Sequence, residues 1–512
     1  MKFLASRKFG TRRQKVDTLL LKGLNLRVDS TFYSSSPYLY LMVKLVFYGG
    51  VNEIGGNKIL IEDEETRIFL DFGMSFAQSS KYFSEFLQPR VCSGLSDLIE
   101  LGIIPDLKGI YRNDLLAHEG KPLTEKPMID AVFLSHAHAD HSWNISLLHP
   151  EIPIFCGETT KLMLKAAQET SRGLYYEDFY IYRECFVDRR KKPEKERNFK
   201  TFRTGDKIKI KDIEVEPIHV DHSIPGAYGF LVHTSSGTIA YSGDIRMHGP
   251  KKEMSEDFIQ AARKERSEAL ILEGTNIDNR MVSLTENQVF KTVTKLISQT
   301  KKLVLCDFPI RDVDRLKTFF EAGRKNGRKF VTNMKQAYLI ELLNKEDKKL
   351  ELPSLDEFQI FLHKSSWGNY EKQDYYKWQQ KFLDYPNVIK AEDLAKQQEK
   401  FVLYMEFFDL TELLDIKPSN GSLFIHSLTE PFNEEMALDF NKMLNWLNKF
   451  KIPFKHVHAS GHADISQLKK IAEGISPKKI FPIHTERPDL FINLTKKAKV
   501  IIPEVGRGIE VF

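Results

Sequence analysis

The sequence predicts an α/β protein of two or three domains, and three observations carry that prediction. From Val43 to Leu272, short apolar runs of strand length alternate with turns and a few helical patterns. Beyond about residue 280 the pattern changes to long helices alternating with strands, the signature of a parallel sheet. Over the final 60 residues the order strand, helix, strand returns. A chain of 512 residues is also longer than one hydrophobic core usually serves.

Residues 1–42 form a basic N-terminal extension. Lys8, Arg12, Arg13 and Lys15 outnumber Asp17 and Asp29, and a serine run follows at 34–36. A transit peptide has this composition; alternatively Met42 is the true start, because Val43–Phe47 begins a strand pattern at once. Lys58–Ile61 and Arg67–Leu70, joined by the acidic turn Glu62–Glu65, read as a hairpin. Ala131–Leu134, Ile152–Phe155, Ile213–Ile218, Gly229–His233, Thr238–Tyr241 and Ala269–Leu272 are further strands, with helices over Thr159–Thr170 and Asp257–Arg266. Then come helix Glu286–Gln299, strand Lys302–Cys306, helix Arg311–Lys325 and strand Lys329–Thr332. An aromatic stretch from Trp367 to Tyr385 follows, read as core or as a base-stacking surface. Strand Lys455–Ala459, helix Ile465–Glu473 and strand Lys479–Ile483 close the chain.

Composition removes several classes. Charged residues are 28% and hydrophobic ones 42%, as in soluble globular proteins. With 28 Gly and 21 Pro, low-complexity disorder does not dominate. No run of 18 apolar residues occurs, so no membrane-spanning helix or membrane partner is expected. The 4 cysteines (Cys92, Cys156, Cys185, Cys306) have no C-x-x-C spacing, which excludes a disulfide scaffold or a Cys-based zinc finger and fits a cytoplasmic protein. A net charge of +5 argues neither for nor against nucleic acid.

The strongest local signal is Ser135-His136-Ala137-His138-Ala139-Asp140-His141, at the end of an apolar run. A tight turn after a strand aims several donors at one small volume, and imidazoles two residues apart share a direction. The Asp-His pair can then face a second cation about 3.5–4 Å from the first. With only 15 His in the chain, three beside one Asp within six residues is not a chance grouping. His222, Asp244 and His484 each follow an apolar strand, where α/β sheets build their sites, and complete a two-metal set.

His-Ala-His-Ala-Asp-His, preceded by Asp71 in Phe69-Leu70-Asp71-Phe72-Gly73, resembles the metallo-β-lactamase fold, an αββα sandwich with zinc ions at one edge. The resemblance implies that His136, His138, His222 and Asp244 bind one Zn²⁺, and that Asp140, His141, His484 and a bridging Asp244 bind the other, with Mn²⁺ as the alternative ion. Asp71 would orient the ligand loop. Leu272-Glu273-Gly274-Thr275-Asn276, Ser460-Gly461-His462-Ala463-Asp464 and His484 are similar to the acidic A, histidine B and histidine C motifs of the β-CASP nucleases. Gly49-Gly50-Val51-Asn52-Glu53-Ile54-Gly55 and Leu284-Thr285-Glu286 look most like ribonuclease J.

That family implies a metallo-β-lactamase domain over 43–279 and 453–512, with an α/β β-CASP domain inserted at 280–452. It implies two-metal hydrolysis of RNA phosphodiesters, 5′–3′ exonucleolytic or endonucleolytic, with Glu273 holding His462 as general acid. Single-stranded RNA and a second copy of the chain are the implied partners, although the few residues between His484 and Phe512 leave little room for a separate dimerisation domain. A glutamate at motif A and Ile483-His484-Thr485-Glu486 at motif C depart from ribonuclease J form. The alternatives are a small-molecule ester or thioester hydrolase on the same metal core, and a non-catalytic RNA-binding paralogue. His426, Ser427 and Thr429 are candidate substrate-phosphate contacts, with a strand-to-helix turn capped by Thr429 or Asn433 as the structural alternative. The run Arg189–Lys192 reads as a solvated loop or a phosphate-steering patch.

Overall fold

The structure, a computed structural model, describes residues 43–84, 87–171, 173–185, 194–279, 283–431 and 434–512. The N-terminal extension, the basic run Arg189–Lys192 and Asn433 lie outside the described residues.

Three sheets of seven strands organise the fold. The first runs in the order Gly508–Glu510, Lys44–Gly49, Lys58–Asp63, Thr66–Phe72, Ala131–Phe133, Ile154–Gly157, Phe199–Phe202. The second runs Lys499–Val500, Lys479–Ile483, Ala269–Glu273, Thr238–Tyr241, Tyr228–His233, Ile213–His219, Ile208–Ile210. Each has an antiparallel half and a parallel half, and Thr66–Phe72 pairs with Lys58–Asp63 as the expected hairpin. The two stack face to face. Leu45, Ile59, Ile68 and Phe133 of one interdigitate with Val215, Phe230, Tyr241 and Ile271 of the other, in a cluster excluded from water. Helices cover the outer faces. Glu158–Glu169 packs on the first sheet, while Lys252–Lys264 and Ile465–Ile475 pack on the second through Phe258, Ile259, Leu468 and Ile471. This is the αββα sandwich the motifs imply.

The third sheet is parallel throughout, in the order Val388–Ile389, Gln359–Phe361, Lys329–Asn333, Phe401–Tyr404, Val304–Asp307, Leu423–His426, Phe454–His456. Its strands are near-continuous apolar runs because both faces are covered, by helices Glu286–Gln299 and Val313–Lys325 on one side and Glu434–Lys449 on the other. Phe454–His456, expected in the segment that returns to the sandwich, is instead the edge strand of this sheet. The helix expected over Asp257–Arg266 begins five residues earlier, at Lys252. The aromatic stretch divides: Tyr375 and Phe382 are buried with Met334 and Ile360, whereas Trp367 is 87% exposed.

A buried ionic knot ties the third sheet's helices to the sandwich. Arg246 meets Asp221 at 3.0 Å and Glu286 at 3.0 Å, and Arg315 meets the same Glu286 at 2.9 Å. Arg315 also donates to the carbonyl of Ala459 and Arg246 to that of Ser460, so the knot holds the chain just before His462. Among the described residues, no helix is long and apolar enough to cross a membrane.

Candidate metal centre and active site

The loop carrying His136–His141 is shaped from below by Asp71. This residue, next to last in strand Thr66–Phe72, is left-handed (φ 57°) and turns its carboxylate under the loop. One oxygen accepts from the Ser135 amide at 2.7 Å. The other accepts from the Ser135 hydroxyl at 2.8 Å, the Tyr241 hydroxyl at 2.6 Å and His141 Nδ1 at 2.7 Å. A left-handed non-glycine costs about 1 kcal/mol, which four hydrogen bonds to a buried carboxylate offset. Two glycines let the loop close over the strand ends. A Cβ on Gly73 would lie 1.7 Å from the Asp140 carbonyl oxygen, and one on Gly55 would lie 2.6 Å from the Asp140 carboxylate.

Seven donors converge. His136 Nε2 and His222 Nε2 approach His138 Nδ1 at 2.9 and 3.1 Å, and Asp244 Oδ2 lies 3.5 and 3.6 Å from His136 and His222. Asp140 Oδ2 lies 3.1 Å from His484 Nε2 and 4.0 Å from His141 Nε2. Asp244 faces both groups, reaching His141 Nε2 at 3.2 Å and His484 Nε2 at 3.8 Å. The sets His136–His138–His222–Asp244 and Asp140–His141–His484 each gather their donor atoms within 4.8 Å.

Hydrogen bonding outside the cluster shows that this arrangement fits cations. His222 Nδ1 lies 2.6 Å from the Gly461 carbonyl, which can only accept, so the proton sits on Nδ1 and Nε2 keeps its lone pair. His141 gives Nδ1 to Asp71, and His484 gives Nδ1 to the Thr275 hydroxyl at 2.8 Å. The bare Nε2 of His222 and the Nε2 atoms of His141 and His484 therefore face carboxylate oxygens across a buried space. His141 Nε2 and Asp244 Oδ1 have no hydrogen-bond partner there. Carboxylates and ring nitrogens packed this closely out of water need a positive charge among them, a metal ion or, in the metal-free chain, the proton on His141.

The titration of the cluster agrees. Burial, reinforced by neighbouring imidazoles, pushes His136 and His222 well below the ordinary histidine range, and His138 down to about 4. Burial would lower His141 too, but Asp244, Asp71 and Asp140 outweigh it and hold it well above that range. Burial opposes ionisation of Asp244, yet His141, His484 and His462 keep it a carboxylate.

Beside the cluster stands the pair expected as motifs A and B. Glu273 is fully buried at the end of strand Ala269–Glu273, with Oε1 3.3 Å from His462 Nδ1. Burial acts to lower His462, but Glu273 first, then Asp244, pushes it up to about 9. Sequence reading missed Thr275. Its hydroxyl lies 3.1 Å from His462 Nδ1 as well as 2.8 Å from His484 Nδ1, joining the two histidines. Tyr241, legible only as an apolar strand residue, and the Gly461 carbonyl were missed likewise. Their signal is a polar atom at a strand or loop end, which one sequence cannot tell from ordinary packing.

The three expected phosphate contacts are placed differently. Ser427 is fully buried, its hydroxyl taken by Arg315 and the Val457 carbonyl. His426 is buried against Asp307 at 2.7 Å. Of the three only Thr429 is exposed. In this structure the Ser427 hydroxyl is spent on internal contacts, a correction to the sequence expectation, whereas His426 and Thr429 line one cavity with Asp307.

A β-lactamase superfamily domain matches residues 104–305, and a Zn-dependent metallo-hydrolase RNA specificity domain matches residues 446–503. Ribonuclease J of Helicobacter pylori (strain J99) is 22% identical over 454 residues, covering 87% of this chain. Ribonuclease J of Mycoplasma genitalium is 23% identical over 458 residues, covering 86% of this chain and 68% of its own length. The chain thus carries a β-lactamase superfamily domain and is similar to ribonuclease J proteins over most of its length. It spans 56% of the Helicobacter pylori relative and 73% of Ribonuclease J 2 of Streptococcus pyogenes, to which it is 21% identical over 472 residues. A solved protein of unknown function from Enterococcus faecalis V583 superposes with a TM-score of 0.71 at 25% identity, covering 91% of this chain and 99% of that one.

His484 is left-handed (φ 56°), its amide donates to the Gly50 carbonyl at 2.8 Å, and Thr485 bridges to Glu53. The glycine-rich opening segment thus holds the strand end from which His484 projects.

Proposed function

We propose that the chain hydrolyses RNA phosphodiesters with two divalent metal ions, Zn²⁺ in the first instance and Mn²⁺ as the alternative, leaving 5′-phosphate and 3′-hydroxyl ends. The observation that carries this reading is the Glu273–His462 pair at 3.3 Å beside the two donor sets. An activated ester expels its leaving group unaided, whereas an alkoxide leaving from phosphorus needs a proton.

His136, His138, His222 and Asp244 would hold one ion, and Asp140, His141, His484 and Asp244 the other. When bound, the ions would polarise the phosphoryl oxygens and make water acidic enough to serve as nucleophile at neutral pH. The chain's own residues do the rest. Asp71 fixes the ring of His141, and the Gly461 carbonyl fixes that of His222. Glu273 keeps His462 protonated, and because Nδ1 faces Glu273 and Thr275, Nε2 is the nitrogen that delivers the proton to the leaving oxygen. Single-stranded RNA would lie between the sandwich and the inserted segment, which we place at 280–452.

The test is direct. Zinc- or manganese-loaded protein is incubated with 5′- and 3′-labelled RNA, with DNA and with a generic ester. Cleavage of RNA with 5′-phosphate products is the expected result, and the ladder reports exo- or endonucleolytic action. Turnover of the ester alone would remove this reading.

A further inference from the structure

Arg311 lies in the turn between strand Val304–Asp307 and helix Val313–Lys325, next to Asp312, which caps that helix. It reaches from the inserted sheet to the ligand loop, and its Nη1 donates to the carbonyl of Ala137 at 2.9 Å. Ala137 is the residue between His136 and His138. The guanidinium lies over the ring of Trp143, 5.7 Å from its centroid, and that ring stacks in turn on Phe179.

What this cation lacks is an anion. The knot of Arg246 and Arg315 is matched by Asp221, Glu286 and Asp314, and Arg112 by Asp114 and Asp178. Among the described residues no carboxylate pairs with Arg311, and no hydrogen-bond partner faces its Nε or Nη2. Burial, with no opposing charge, pushes it down to about 10. A partly desolvated guanidinium with no carboxylate beside it is costly to the free protein, and unlike the buried Arg197, each of whose nitrogens donates to a backbone carbonyl, Arg311 has donors left for a ligand that supplies the counter-charge. Its remaining donors are the planar fork that takes a phosphate oxygen pair.

We infer that Arg311 is a phosphate-binding residue for the substrate strand, seating a phosphate at or next to the one cleaved and tying the inserted sheet to the ligand loop when the strand is present. The inference rests on the proposed reading as a ribonuclease and adds a contact that the metal ligands and the Glu273–His462 pair do not provide.

The experiment measures binding of a fluorescein-labelled, phosphorothioate-protected RNA 12-mer to the full-length, metal-loaded chain across a salt series. The variants are Arg311→Gln, which keeps an N–H for the Ala137 carbonyl but drops the charge, and Arg311→Lys. Arg311→Gln is expected to weaken binding about tenfold for every base sequence tried, and to flatten the dependence of log Kd on log salt by about 0.7. Arg311→Lys is expected to recover the salt dependence. Because the charge is unpaired in the free protein, the melting temperature of Arg311→Gln should equal or exceed that of the parent. Unchanged affinity and slope in Arg311→Gln would overturn the inference, whatever its melting temperature. So would an Arg311→Lys variant as weak and as flat as Arg311→Gln. A parent chain that binds no RNA would sink the ribonuclease reading and this inference together, whereas equal binding by parent and Arg311→Gln sinks the inference alone.

Discussion

Thr275 carries more of the site than its size suggests. One hydroxyl faces Nδ1 of His484, a candidate ligand, and Nδ1 of His462, the candidate acid. Outer hydrogen bonds of this kind typically govern about 10–100-fold in metal affinity. Thr275→Val should therefore lower affinity for the more weakly held ion by about tenfold, measured by calorimetric titration of the metal-free chain, while Thr275→Ser keeps most of it. Glu273 sets a different property. His462 is held at about 9, so its acid form persists through neutrality and is lost as pH rises through about 9. Glu273→Gln removes the main stabiliser of that proton and should move the alkaline limb of the rate profile to lower pH. A limb that stays in place would remove His462 from the acid role. His141 adds a proton-linked effect on stability. Its raised value means the metal-free chain keeps a stabilising proton there below the ordinary histidine value and loses it as pH rises through the higher one, whereas a bound ion displaces that proton. The rise in melting temperature on adding zinc should be larger at pH 8.5 than at pH 6.5, and chelation should reverse it.

Single elements show why some of this architecture could be read from the chain and some could not. The hairpin Lys58–Asp63 with Thr66–Phe72, and the ligand loop after Ala131–Phe133, are local: alternation, an acidic turn and clustered donors all lie within a few residues. The helices Glu286–Gln299 and Val313–Lys325 were legible because apolar residues recur at helical spacing after Thr285 and Asp312, which cap them. The edge strand Phe454–His456 was not, since its partner sheet is chosen by pairing with Leu423–His426 rather than by its own residues. Ser427 was misread for a related reason: a hydroxyl at a strand end looks the same whether it faces a cleft or, as here, a buried arginine. The short turn that carries Glu412 gives a prediction at this scale. Its carboxylate is buried, one oxygen takes the Lys364 amide at 3.1 Å and the other has no partner, and burial pushes it up to about 7. A raised carboxylate costs stability once it must ionise, so that cost grows as pH rises from the ordinary glutamate value through about 7. Glu412→Gln should raise the melting temperature by about 2 °C at pH 8, and leave it unchanged at pH 4.

At the scale of the molecule, Glu286 is a carboxylate shared by two buried arginines, one from the sandwich and one from the inserted helices. Removing it leaves both cations underpaired out of water. Glu286→Gln should cost about 3 kcal/mol, and calorimetry should show the single melting transition broaden or split as sandwich and insertion lose their tie.

The long excursion of the chain has a consequence for how the protein is made. Ala269–Glu273 and Lys479–Ile483 are adjacent parallel strands, and 209 residues separate Thr275 from His484. A ribosome therefore delivers the histidine loop, His222, Asp244 and Glu273 well before His462 and His484 emerge. Until those last segments leave the exit tunnel, the nascent polypeptide holds an incomplete set of metal donors and lacks the Glu273–His462 pair, so the centre is assembled only at the close of its own translation.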